Sequence, residues 1–165
     1  MCKHLYFVCP SDNLEDIINK IFPEENFFIS SLGNSIYFGN DFTDEVNAFI
    51  ESKAIEKITF VLSENNKFIN DSLKEKSFDN IKELNNFYSI LSKQSEISNR
   101  KFKEYNLNKQ IISFLLKLKV EEMNLKLSDW LSDKIYVDAK VYSEEKKIFT
   151  EIQSNLLNPK SIHLN

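Results

Sequence analysis

The sequence predicts an α/β fold: a mostly parallel central sheet with helices on both faces and a C-terminal antiparallel strand pair. Three observations predict it. Between residues 3 and 62, short apolar runs alternate with amphipathic helical stretches, the mark of βαβ units. The run Ile58, Thr59, Phe60, Val61, Leu62 is almost wholly β-branched, aromatic or aliphatic, as in a strand buried on both faces. Residues 135–142 alternate Ile135, Val137, Ala139 and Val141 with Tyr136, Asp138, Lys140 and Tyr142, then turn into a second extended stretch, residues 147–152.

Each element has a local reason. Residues 3–8 form the first strand, and the loop Cys9, Pro10, Ser11, Asp12, Asn13 follows it. Leu14, Ile17, Ile18 and Ile21 share one stripe of a helix over residues 14–22, with Ser11 or Asp12 as N-cap and Pro23 as its stop. Residues 26–31 form a second strand, ended by the turn signal Leu32, Gly33, Asn34. Residues 35–38 are extended, and Gly39 and Asn40 break them. A helix over 41–53 buries Phe42, Val46, Phe49 and Ile50 and is capped by Asp41 or Thr43. After the third strand, residues 58–62, comes the polar loop 63–67, capped at Ser63 or Asn65, and a short helix over 67–74. Ile81, Leu84, Phe87, Tyr88 and Leu91 mark a helix over 78–93. Ile111, Ile112, Leu115 and Leu118 mark another over 107–118, and residues 120–130 read as an irregular helical stretch. Residues 94–105 are polar and without a clear pattern, and 154–165 read as a loose tail. Nothing divides the chain, so residues 1–165 are expected to form one domain, with right-handed crossovers.

Composition excludes several functions. The chain has 165 residues, 42% of them hydrophobic and 28% charged, which suits a soluble domain with a sizeable core. Its net charge of -4 argues against a nucleic-acid or anionic-membrane binder. Arg100 is its one arginine, so bidentate clamps on phosphate or carboxylate are nearly excluded. No apolar run approaches the roughly 20 residues of a membrane span, and the apolar part of the N-terminus, residues 5–8, is too short for a signal peptide. Two cysteines without such a signal point to a reducing cytoplasm.

Ligands of open α/β sheets bind at the carboxyl ends of the strands. Here those ends carry Cys9 to Asn13 and Ser63 to Lys67, with no glycine to cradle phosphate. In order and layout the chain resembles the β-class carbonic anhydrases. In that family a first strand ends in Cys-x-Asp-Ser-Arg, a second in an Arg-Asn-Ala-Gly-Asn-like turn, and a third in Gly-His-x-x-Cys-Gly. A final strand pair carries a Tyr-Asp-x-x-x-Gly-like turn. The matching stretches are Cys9 to Asn13, Ser30 to Asn34, Leu62 to Lys67 and Val141 to Ile148. The resemblance implies the fold, a homodimer, and a zinc held by two cysteines and one histidine beside an Asp–Arg pair. Residue by residue, Cys9 stands at the first ligand. Glu64 stands where the histidine would be, and Lys67 where the second cysteine would be. Ser11 replaces the aspartate and Asn13 the arginine. One thiol and one carboxylate do not make the three-ligand zinc site with an open water position that this chemistry needs.

The expected protein is therefore a non-catalytic carbonic-anhydrase-like binding or regulatory module without the catalytic zinc. No catalytic residue, metal or cofactor is assigned. The expected partners are a second copy and another protein; no nucleic acid and no membrane insertion are expected. The candidate pocket is Cys9, Ser11, Asp12, Asn13, Gly33, Glu64 and Lys67. The simpler reading of Cys9 is a small buried hydrophobe. The simpler reading of Glu64 and Lys67 is a solvated i, i+3 pair at a helix start. An alternative is an enzyme of another class, with Asp12, Glu64 and Lys67 around a small polar substrate. A zinc site from Cys2, His4, Cys9 and His163 is a remote second possibility, and a flavodoxin-like nucleotide binder ranks last for want of a suitable loop.

Overall fold

The structure, a computed structural model, describes residues 2–74, 76–78, 80–99 and 107–152. Among the described residues five strands form one sheet: β1 (Lys3–Val8), β2 (Glu25–Ser30), β3 (Lys57–Ser63), β4 (Tyr136–Ser143) and β5 (Ile148–Glu151). Their spatial order is β2-β1-β3-β4-β5. The first four run parallel, and β5 is antiparallel to β4. The helices are α1 (Glu15–Ile21), α2 (Asn40–Lys53), α3 (Lys67–Leu73), α4 (Asn85–Asn99), α5 (Leu107–Lys126) and α6 (Asp129–Ser132).

β1 and β3 lie inside the sheet with both faces covered, which explains their near-continuous apolar runs. Register sorts their side chains. Leu5 pairs with Ile58 and Phe7 with Phe60 on one face. There they join a core that includes Val46 and Ile50 of α2, Ile69 of α3, Leu91 of α4 and Leu115 of α5. Phe7 stacks on Phe60 with ring centroids 4.6 Å apart. On the other face Tyr6, Val8 and Val61 meet Leu14 and Ile18, at the start of and within α1. The predicted helices on both faces are thus observed, with α1 opposite the rest.

Several local expectations are corrected. Neither Ser11 nor Asp12 caps α1. Residues Pro10–Asp12 form a 3-10 turn closed by Asp12 N–H on Cys9 O at 3.0 Å, Asn13 is left-handed, and α1 begins only at Glu15. Ile21, expected on the buried stripe, is the last residue of α1 and is 46% exposed. The backbone of Gly39, not a side chain of Asp41 or Thr43, starts α2, with Thr43 N–H on Gly39 O at 2.9 Å. The expected helix from residue 78 starts at Asn85 and runs to Asn99. Phe78 is held outside it because the Asp71 carboxylate accepts the N–H groups of Ser77 and Phe78 and the Tyr88 hydroxyl. The remainder of the unpatterned polar segment, residues 100–105, and the tail, residues 154–165, lie outside the described residues.

α5 is one helix through residues 118–120, where the sequence breaks the apolar stripe. The break is Lys119, which is buried on the core side. Its ammonium donates to Ile36 O at 2.8 Å and to Glu122 Oε2 at 2.7 Å, and lies 5.7 Å from the centroid of the Phe38 ring. A buried charge is tolerated when paired and hydrogen-bonded in this way. It fastens α5 to the chain that follows β2.

β4 is not half exposed. It is an interior strand, and of its expected outer residues only Tyr136 stays open, at 57%. Asp138 is buried by a network on the α1 face. Lys57 Nζ lies 2.9 Å and Lys140 Nζ 3.7 Å from Asp138 Oδ2. The Thr59 hydroxyl gives its single proton to Asp138, so it accepts from His4 Nε2 at 2.7 Å. That fixes His4 as the neutral Nε2–H tautomer. Burial, then the Lys57 charge, push its pKa down to about 4.

A folded His4 that titrates near 4 binds fewer protons than an unfolded one near 6.5, so stability is lost as pH falls through that window. Thermal midpoints measured from pH 7 to pH 4 are expected to fall, and His4→Gln to flatten the fall. An unchanged slope in the variant would mean that His4 does not carry it.

Candidate functional site

β1 and β3 are parallel neighbours, so the loops that leave their carboxyl ends lie side by side. β1 delivers Cys9 into the core, where it is fully buried. Its sulfur accepts Gly33 N–H at 3.1 Å and lies 3.1 Å from Ser11 Oγ. Gly33 and Asn34 both take left-handed backbone, φ 60° and 55°. A β-carbon on Gly33 would lie 2.8 Å from Phe87 Cζ and 3.3 Å from Phe68 Cβ. Two phenylalanines therefore wall off this end of the site.

Asp12 turns from the surface toward β3. Its Oδ2 accepts Ser63 N–H at 2.8 Å and its Oδ1 accepts Asn66 Nδ2 at 2.8 Å. Burial pushes its carboxyl above the usual range, while these two hydrogen bonds pull it back. Asn66 also caps α3: its Oδ1 accepts from Phe68 N and Ile69 N, each at 3.1 Å. The expected caps, Ser63 and Asn65, are replaced by the next residue; Ser63 Oγ instead accepts Asn65 N–H at 3.2 Å.

Glu64 and Lys67 diverge. Glu64 N–H bonds Tyr142 O on β4, and its carboxylate accepts the Ser143 hydroxyl at 2.7 Å. Lys67 is exposed, with Nζ 5.0 Å from the centroid of the Phe78 ring. Among the described residues no ion pair joins them, against expectation. The reason is the backbone at Asn66 (φ -50°, ψ 126°), which is not helical and takes Glu64 off the face that Lys67 occupies. Asn13 is exposed where the chain turns into α1.

Three partners of the site escape the sequence reading. Asn66 had a signal, an asparagine directly before a helix. Ser143 and Glu144 read as a solvated hairpin turn. Yet Ser63 Oγ donates to Glu144 Oε1 at 3.1 Å while Ser143 Oγ donates to Glu64 Oε1, so the two neighbouring strand ends exchange the same Ser-Glu pairing. The repeated dipeptide, Ser63-Glu64 and Ser143-Glu144, was the available signal.

These donors do not fit a zinc ion. Cys9 faces Gly33, Glu64 faces Ser143, and Lys67 brings an ammonium and faces Phe78. Among the described residues no three His, Cys, Asp or Glu side chains are grouped to hold a metal. The set Cys2, His4, Cys9 and His163 is not gathered either. His4 stacks on Tyr6 on one face of the sheet, Cys9 belongs to the core of the other, and His163 lies outside the described residues. Of the alternative set, Asp12 faces Ser63 and Asn66, Glu64 faces Ser143, and Lys67 faces Phe78. A separate cleft of about 140 Å³ opens between Ser35, Tyr37, Phe87, Leu118 and Lys119.

No family model and no curated protein matches the sequence. Solved structures do. A β-carbonic anhydrase of the fungal pathogen Aspergillus fumigatus superposes with a TM-score of 0.76 at 11% identity, covering 96% of this chain and 78% of its own. Tetrameric β-carbonic anhydrases of Sordaria macrospora give 0.75 at 11% identity, covering 93% and 81%. A Coccomyxa β-carbonic anhydrase in complex with acetazolamide gives 0.65 at 13%, covering 92% and 72%. The chain has the fold of the β-carbonic anhydrases.

Gly33→Ala combines a left-handed backbone with a clash against Phe87, and is expected to cost roughly 2–4 kcal/mol. Urea denaturation measures this, and an unchanged midpoint would mean that the Phe87 wall yields. Introducing a histidine and a cysteine with E64H/K67C is expected to leave zinc well below one ion per chain, because residue 64 faces Ser143 and residue 67 faces Phe78. Tight stoichiometric binding in metal analysis would contradict the geometry.

Proposed function

We propose that this chain is a carbonic-anhydrase-like protein without the catalytic zinc, acting as a binding or regulatory module rather than as an anhydrase. One observation carries the reading. Every position that matches the family's ligand set is committed to a partner within the chain, and none of the commitments points to a shared centre. A catalytic zinc needs three protein donors and an open place for the water whose pKa it lowers to about 7. A thiol, a carboxylate turned to β4 and an ammonium turned to Phe78 do not provide them.

The reading includes a homodimer in a reducing cytoplasm. It is supported by the two unpaired cysteines and by analogy with the tetrameric Sordaria relatives. Among the described residues no helix is long and apolar enough to cross a membrane.

Tagless protein, purified without chelator, is expected to hold zinc far below one ion per chain and to give no CO2 hydration above buffer. Stoichiometric zinc with measurable hydration would overturn the proposal. Sedimentation equilibrium tests the dimer.

A further inference from the structure

We infer that Asp12 and Asn66 form a clasp that joins the carboxyl ends of β1 and β3 without a metal, and holds the 63–67 loop so that positions 64 and 67 face away from Cys9. The inference rests on the preceding reading, that no ion bridges these two strand ends.

The need for a clasp follows from the ladder. β1 and β3 pair from His4 with Lys57 to Phe7 with Phe60, and no further. β3 continues through Ser63, paired only with β4 on its other side. In a parallel ladder successive residues address opposite neighbours. Glu64 N–H reaches Tyr142 O on β4, so Ser63 N–H faces the gap where β1 has left. Ser63 is buried, and a buried N–H without an acceptor is costly.

Two side chains bridge the gap. Asn34 Nδ2 donates to Val61 O at 2.9 Å and reaches Phe7 O at 3.4 Å, so it touches both strands. Further out, the Asp12 carboxylate takes Ser63 N–H with one oxygen and Asn66 Nδ2 with the other. Asn66 in turn spends its own oxygen on the first free N–H groups of α3. The chain Asp12, Asn66, α3 thus runs from the β1 end to the helix that follows β3. It sets the non-helical backbone at Asn66 that separates Glu64 from Lys67. In the resembling family the ion sits between these strand ends; here a carboxylate, a peptide N–H and an amide occupy the same junction.

Amide exchange by NMR tests this on the whole protein, alongside metal analysis of the native form. In Asp12→Ala the amides of Ser63, Phe68 and Ile69 are expected to exchange roughly tenfold faster or more, given the usual strength of a charge-assisted bond. Amides of residues 58–60, in the part of β3 flanked by both β1 and β4, are expected to keep their protection, which separates loss of the clasp from general destabilisation. Should that variant not fold, Asp12→Asn still decides. It keeps an acceptor for Ser63 N–H but presents an NH2 to the NH2 of Asn66. Ser63 is then expected to stay protected, while Phe68 and Ile69 loosen.

Native exchange at Ser63, Phe68 and Ile69 in both variants would overturn the clasp. Stoichiometric zinc in the native protein would instead overturn the metal-free reading on which it rests, whatever the variants do.

Discussion

Where the ladder between β1 and β3 stops at Phe7 and Phe60, the molecule has to satisfy buried backbone groups with side chains, and everything at the site depends on how it does so. Parallel strands that part at their carboxyl ends leave a crevice, and open α/β folds commonly place a ligand there. In this chain the crevice is occupied by its own residues. Asn34 spans the two strands, Asp12 reaches from one loop to the other, and Gly33 gives its N–H to the Cys9 sulfur. The left-handed pair Gly33–Asn34 brings the amide to where it is needed. Phe68 and Phe87 then close over Gly33.

The same principle, polar groups buried only with partners, operates in two further places. Asp138 sits under Lys57 and Lys140 with Thr59 and His4 beneath it. Lys119 penetrates the helical layer to hold Ile36 O. Both interrupt an otherwise apolar pattern, and both tie together segments distant in sequence. They allow β4 to be an interior strand although every second residue looks solvent-facing, and α5 to be continuous although a lysine stands in its stripe.

A fold carried at 11–13% identity says little about chemistry. What bears on function is the site, and there Cys9, Glu64 and Lys67 are each directed to a different partner. Glu64 aims its carboxylate at the Ser143 hydroxyl. Lys67 is an ammonium, and it is seated on an aromatic ring away from Cys9.

The amino-acid order by itself determined the succession of strands and helices, the parallel sheet and the C-terminal pair, because periodicities of two and 3.6 are carried by near neighbours in the chain. It also determined which side-chain types stand at the strand ends, since residue identity there is local information. Helix starts were less legible: Asp12 looks like a cap for α1 and instead serves a residue 51 positions away. Only the tertiary structure decided that Glu64 answers to Ser143, 79 positions away. It alone decided that Asp138 and Lys119 are inside, and that Glu64 and Lys67 part company. Those outcomes depend on which strand ends lie side by side and on where a ladder runs out, and no local pattern of residues encodes either.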